Sequence, residues 1–164
     1  MDWHCRDPYA ICRTFLSFPL TKEQVEKNLF DKNRYAFQVV ESTTQIIIGY
    51  GEIYLTDKSA HLGRILIGKE KYRGKGYGNK IVNYLLEYAF KNLNQSRVEL
   101  NVFDWNTVAI NCYKRVGFVF NPEKNSVRQI NGKTWLALNM VLERKNRERS
   151  GGIERNWIPF IHNV

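Results

Sequence analysis

Residues 63–103 constrain the fold more than any other part of the chain. Gly63-Arg64-Ile65-Leu66-Ile67 has the apolar weight of a buried strand. Arg73-Gly74-Lys75-Gly76-Tyr77-Gly78 is a glycine-rich turn. From 76 to 91 the apolar residues Ile81, Val82, Leu85, Leu86, Ala89 and Phe90 recur at steps of one, three and four, which predicts a helix with one apolar stripe. Segment 97–103 then alternates Val98, Leu100 and Val102 with Glu99, Asn101 and Phe103, the two-residue period of a strand. Strand, crossover helix and strand predict a parallel pair with a right-handed connection.

The turn inside this unit is an anion-binding device. Its glycines permit positive φ and leave the backbone uncluttered. The N–H groups of the following helical turn lack internal partners and can meet phosphate oxygens. Arg73 and Lys75 add charge at the same place. Two common phosphate loops are excluded by spacing. No G-x-x-x-x-G-K-[S/T] string occurs, and a G-x-G-x-x-G string begun at Gly74 would need glycine where Asn79 stands. The fixed positions that remain are R-x-x-G-x-G, from Arg73, Gly76 and Gly78.

Around this unit the pattern predicts further elements. Thr21 is placed as the N-cap of a helix over 22–30, with Gln24 completing a capping box. Segments 35–41, 46–55 and 60–67 read as an antiparallel meander because their connections are short. Asn106 is placed as the cap of a second helix through Arg115, and Gly117 as its C-terminal glycine. Segments 118–121 and 135–142 close the pattern as strands, in a hairpin around Asn131-Gly132.

Composition narrows the class. With 164 residues and 43% hydrophobic content the chain suits one globular domain. No apolar run approaches the roughly 20 residues needed to span a bilayer, so no membrane partner is expected. Met1-Asp2-Trp3-His4-Cys5 does not read as a signal peptide. Cys5, Cys12 and Cys112 are odd in number and lack zinc spacing, which predicts reduced thiols, a cytoplasmic location and no metal site. Cys112 reads as a small core thiol. The net charge of +9 calls for an anionic partner: nucleic acid, a membrane surface or a polyanionic cofactor. No nucleic-acid motif accompanies the charge, and the basic residues are scattered rather than banded.

A second motif gives the first its ligand. Residues 106–118 read N-x-x-A-I-x-x-Y-x-x-x-G-F, with Asn106, Ala109, Ile110, Tyr113, Gly117 and Phe118 at the fixed positions. At helical spacing Asn106 and Tyr113 fall two turns apart on nearly one face, with small Ala109 between them. Together with R-x-x-G-x-G one strand upstream, this resembles the two signatures of the GNAT N-acetyltransferase superfamily, over roughly residues 20–142.

The resemblance implies an α/β (α+β) fold: a mixed, centrally splayed sheet flanked by helices, binding acetyl-coenzyme A as co-substrate. It implies that the pantetheine arm pairs with the free edge at Leu66 and Ile67. The pyrophosphate would lie on Arg73, Gly74, Lys75, Gly76, Tyr77 and Gly78, with Asn106 and Ala109 lining the cofactor side. Tyr113 would sit near the thioester sulfur. The implied reaction is acetyl transfer to a primary amine by direct attack in a ternary complex. The amine must lose a proton, and the thioester oxygen must be stabilised. Tyr113 is the candidate general acid. Glu52 and Glu99 are candidate bases, each read otherwise as an exposed strand carboxylate or an ion-pair member. His61 reads as a surface histidine. The other reading kept open is an acyl-coenzyme A-binding sensor or scaffold without catalysis.

Segment 18–24, Phe18-Pro19-Leu20-Thr21-Lys22-Glu23-Gln24, resembles the substrate-side region of bacterial members related to aminoglycoside 6'-N-acetyltransferases and to polyamine or ribosomal-protein acetyltransferases. Trp3, Tyr9, Phe15 and Phe18 are candidate linings for an acceptor site. The domain is expected over 1–143, without the family's usual first strand. Residues 144–164 form a tail, basic and then apolar. The stretch 156–164 reads either as a disordered tail or as a segment that packs on its own domain, or on a second copy, at the sheet edge left by that missing strand, which leaves a homodimer open.

Overall fold

The computed structural model describes residues 31–41, 44–130, 132–149 and 160–163. The predicted helix at 22–30 and the aromatics Trp3, Tyr9, Phe15 and Phe18 lie outside them.

The meander appears as β1 (Arg34–Val40), β2 (Ile47–Leu55) and β3 (Ala60–Ile67), antiparallel in sequence order. The crossover follows as α1 (Tyr77–Glu87) and β4 (Arg97–Phe103), with β4 parallel to β3. Helix α1 is shorter than its apolar stripe, because the chain widens into a π-helical turn over Tyr88–Asn92. The Arg144 side chain donates to Phe90 O, a carbonyl of the turn, and to the Asn94 side-chain Oδ1 just beyond it.

Next come α2 (Thr107–Val116), β5 (Val119–Phe120), β6 (Ser126–Ile130), β7 (Lys133–Glu143), the short α3 (Arg144–Arg149) and β8 (Phe160–Asn163). The eight described strands form one sheet in the order β5-β7-β4-β3-β2-β1-β8, with β6 also on β7. The closing hairpin differs from the sequence expectation. Its first arm is β6, paired Ile130 to Lys133 across the turn, whereas Val119 and Phe120 pair with Val141 and Met140 at the far end of β7. Ser126-Val127-Arg128-Gln129-Ile130 is mostly exposed, so it carries too little apolar signal to be read as a strand.

Register assigns the two faces. Tyr35, Ile53, Leu62, Leu100 and Met140 are linked partner to partner across five strands and therefore share a face. They pack in or against the main core with Ile81, Val82, Leu85 and Leu86 of α1 and Ile110 of α2. The opposite face carries Tyr54, His61, Glu99 and Val141 in register. It holds the buried polar residues Glu52, His61, Glu99 and Asn139. Helix α1 comes very close to the sheet at Gly51, where an added Cβ would lie 2.9 Å from Leu85 Cδ1.

The tail reaches the far edge. Strand β8 runs antiparallel to β1, pairing Phe160 with Val40 and Asn163 with Phe37. No described helix is long and apolar enough to cross a membrane.

Candidate active site

The parallel ladder between β3 and β4 is short. It pairs Ala60 with Val98, His61 with Glu99 and Leu62 with Leu100, and then stops. Strand β3 continues to Ile67 and β4 to Phe103 with no further pairing between them. On its other side β3 stays paired, Leu66 to Tyr50 and Ile67 to Gly49. The fork therefore leaves one edge of β3 open around Leu66 and Ile67, without a described strand against it. Backbone donors and acceptors on such an edge need a partner.

At the top of the fork the chain turns into α1. Gly74 has φ 72° and Gly76 has φ 79°, and a Cβ at either would meet nothing within 4 Å. Glycine is needed here for backbone conformation, not for space. Gly76 caps α1 without a side-chain hydrogen bond, and the first turn has no acidic residue. Helix N-termini are usually closed by Ser, Thr, Asp or Asn. Here the positive end of the helix is left uncapped beside Lys75. The Arg73 guanidinium folds back toward the end of β3, with Nε 3.3 Å from Ile67 O and Nη2 3.5 Å from Gly68 O. It thus joins the glycine-rich turn to the open edge. Tyr77, half-buried, packs edge-on against Tyr72 at 6.0 Å and anchors the turn to the core.

Helix α2 borders the same region. Asn106 Oδ1 accepts the Ala109 N–H at 3.1 Å, so the carbonyl end of this side chain serves as the N-cap. Gly117 closes the helix with φ 109°, and Phe118 N–H donates to Tyr113 O at 3.0 Å. Tyr113 is half-buried, with its ring 6.0 Å from Phe118 at an interplanar angle of 65°. Gly78 lies where α1 meets α2, and an added Cβ would sit 3.6 Å from Cys112 Sγ. Cys112 is half-buried, and burial pushes its thiol above the ordinary range.

Both candidate bases are buried, not exposed. Glu99 accepts Lys124 Nζ at 2.8 and 3.0 Å and Arg97 Nε at 2.8 Å. Burial alone would raise its pKa. The Lys124 and Arg97 contacts outweigh it and bring the carboxyl down to about 2. Such a group is a weak proton acceptor. Glu52 takes Arg64 Nη1 at 2.6 Å and Tyr50 OH at 2.7 Å on one oxygen, and the Arg34 guanidinium on the other. His61, read from sequence as a surface residue, is 8% exposed and stacks on Tyr54 with ring centroids 4.9 Å apart.

Sequence reasoning missed the partners that hold these groups: Arg34, Tyr50 and Arg64 around Glu52, and Arg97 and Lys124 around Glu99. It also missed an aromatic cluster beyond the fork, where Trp105 stacks on Phe103 at 5.7 Å and meets Trp135 edge-on at 5.2 Å. Opposite charges were the available signal, usable only once the register of β1, β2 and β3 and the placement of Lys124 in the turn at Pro122–Lys124 were known.

Comparison with known proteins agrees with this architecture. The family described as Acetyltransferase (GNAT) matches residues 2–118. The thialysine N-epsilon-acetyltransferase of Mus musculus is 37% identical over 82 residues, covering 47% of each chain. The spermidine N(1)-acetyltransferase of Vibrio cholerae is 31% identical over 122 residues, covering 73% of this chain and 65% of that one. The crystal structure of the spermidine/spermine N-acetyltransferase of Vibrio cholerae with manganese ions superposes with a TM-score of 0.66 at 26% identity, over 79% of this chain and 76% of that one. The chain spans about half the length of the curated relatives it matches first. With a family match over more than half its residues, together with the forked sheet and the uncapped glycine-rich turn, the chain belongs to the acetyltransferase (GNAT) family.

Proposed function

We propose that this chain is an N-acetyltransferase that moves an acetyl group from acetyl-coenzyme A to a primary amine, with both substrates held in one complex. The observation that carries the reading is the β3–β4 ladder that ends at Leu62 and Leu100, directly below a helix N-terminus with no side-chain cap. The open edge suits an extended, amide-bearing arm. The turn suits a pyrophosphate.

In this assignment Arg73, Gly74, Lys75, Gly76, Tyr77 and Gly78 hold the phosphates, and the backbone at Leu66 and Ile67 pairs with the pantetheine amides. Asn106 and Ala109 border the path. A primary amine has a pKa of roughly 10 and arrives protonated at neutral pH. Its proton leaves through water, because Glu52 and Glu99 are both already held by cations. Of Leu66 and Ile67, it is the Ile67 backbone N–H, turned away from β2, that polarises the thioester carbonyl. The Tyr113 hydroxyl returns a proton to the departing thiolate, completing the transfer.

Spermidine and thialysine acetyltransferases among the relatives favour small amines as the first acceptors to test. Residues 1–143 are assigned to one catalytic domain, with 144–164 as a docked tail. The deciding experiment measures free thiol release from acetyl-coenzyme A over a panel of polyamines, aminoglycosides, amino-acid amines and N-terminal peptides. Acceptor-dependent release is expected for at least one amine. Tight coenzyme A binding without release across the panel would instead favour a non-catalytic binder.

A further inference from the structure

Glu52 lies where β3 changes course. The β2–β3 ladder pairs Tyr50 with Leu66 and Glu52 with Gly63, so β3 carries one residue more than β2 between these pairs. This is a β-bulge opposite Gly51, a device that bends a strand and re-aims its residues. Within it Arg64 has φ 47°, a left-handed conformation that side-chain-bearing residues rarely keep without support. The pairing of β3 with β4 ends at Leu62, immediately before the bulge. Bulge and fork are thus adjacent on one strand.

The support is visible. The Arg64 guanidinium reaches Glu52 Oε1 at 2.6 Å, Tyr50 OH donates to the same oxygen at 2.7 Å, and Arg34 of β1 occupies Oε2. Glu52 is 2% exposed. One buried carboxylate therefore ties three strands together at the point where β3 departs from β4. A carboxylate engaged on both oxygens by cations is poorly placed to collect a proton from an amine. It is well placed to fix a backbone.

We propose that Glu52 is a positioning residue: it holds Arg64 in its left-handed conformation, and so aims the open β3 edge at the pantetheine arm. The inference rests on the acetyl-coenzyme A reading above and concerns only the β3 half of that site. It predicts that losing the clamp weakens ligands that use the β3 edge and spares ligands that use only the phosphate turn.

The test compares coenzyme A with adenosine 3',5'-bisphosphate by calorimetry, and follows deuterium uptake in peptides covering 63–67. Glu52→Gln keeps the shape but cannot balance two guanidinium groups. It should weaken coenzyme A about tenfold, leave the bisphosphate unchanged and speed uptake at 63–67. Adding Arg64→Gly removes the orphaned cation and lets the backbone adopt φ 47° freely, and should restore most of both losses. Should Glu52→Gln fail to fold, Arg64→Ala, which keeps the Arg34 and Tyr50 contacts, should show the same selective loss. Unchanged coenzyme A affinity with unchanged uptake overturns the proposal, as does equal loss of both ligands. Disappearance of the acid limb of kcat/KM in Glu52→Gln would make Glu52 the base and overturn it as well. If the wild-type chain binds neither ligand, the coenzyme reading fails and uptake at 63–67 alone decides the clamp.

Discussion

Cys112 donates its thiol hydrogen to Asn79 Oδ1 at 2.7 Å, joining α2 to the first turn of α1. One partner follows the glycine-rich turn directly, and the other precedes Tyr113. The two signature motifs are thus held together by a side-chain contact between neighbouring helices. Cys112→Ala should lower stability by about 1 kcal/mol, the net value of a typical hydrogen bond. Since burial raises the thiol pKa, Cys112 should also react slowly with thiol reagents at neutral pH. Urea unfolding and timed labelling followed by mass spectrometry check both. Labelling as fast as a free cysteine would contradict the packed geometry.

The glycine-rich turn depends on backbone conformation at Gly76. Because a methyl there would touch nothing within 4 Å, Gly76→Ala reports the positive φ alone. The expected cost is about 1–2 kcal/mol. Coenzyme A affinity should fall with it, since the N–H groups at the helix start lose their orientation. Calorimetry with coenzyme A and a chemical denaturation curve give the two numbers.

Tyr113→Phe retains the ring packing on Phe118 and removes only the hydroxyl. Turnover should fall roughly 100-fold, within the usual range for a lost general acid, while coenzyme A affinity stays within about twofold. An unchanged turnover number would remove Tyr113 from the chemistry.

Glu99 makes stability depend on acid. Its folded pKa of about 2 lies below the ordinary value of 4.5, so the folded state favours the ionised carboxylate. The contribution is present above about pH 4.5, and is lost as pH falls toward 2 and the carboxylate takes up its proton. Denaturation midpoints should therefore drop between those values. Glu99→Gln should be less stable at neutral pH and show a flatter acid response. Parallel acid profiles for the two proteins would show that the ion pairs with Lys124 and Arg97 contribute nothing.

Removing residues 150–164 uncovers the β1 edge that β8 pairs from Val40 to Phe37. The truncated chain should melt at lower temperature and self-associate more readily, because an open strand edge invites pairing. Scanning calorimetry with analytical ultracentrifugation provides the check. An unaltered melting temperature and sedimentation profile would mean that the tail does not protect the edge.

How much of this was legible beforehand varied with the range of the interactions. Strands β3 and β4 were bounded correctly because each alternates or runs apolar within a few residues. The caps at Asn106 and Gly117 are equally local, set by one side chain and one backbone angle. The fork was expected from the family resemblance, not from residue spacing. Nothing in the local sequence says that the ladder ends after Leu62. The bulge was invisible for the same reason, since Arg64 gives no hint of positive φ. Strand β6 escaped because only β7 specifies it, through pairing of a largely polar segment. The fates of Glu52 and Glu99 required knowing which cations the register brings alongside them.

The short parallel ladder has a mechanical consequence. Among the described residues, three residue pairs join the strands β1, β2, β3 and β8 to the strands β4, β5, β6 and β7. A substrate threaded into the fork would act as a removable rib, bonding to one half-sheet and wedging against the other. The angle between the halves would then be set by the bound ligand as well as by the backbone. Ligand-free protein should breathe most along this seam. Saturating coenzyme A should slow amide exchange in both half-sheets together, and raise the unfolding temperature with ligand concentration as mass action requires.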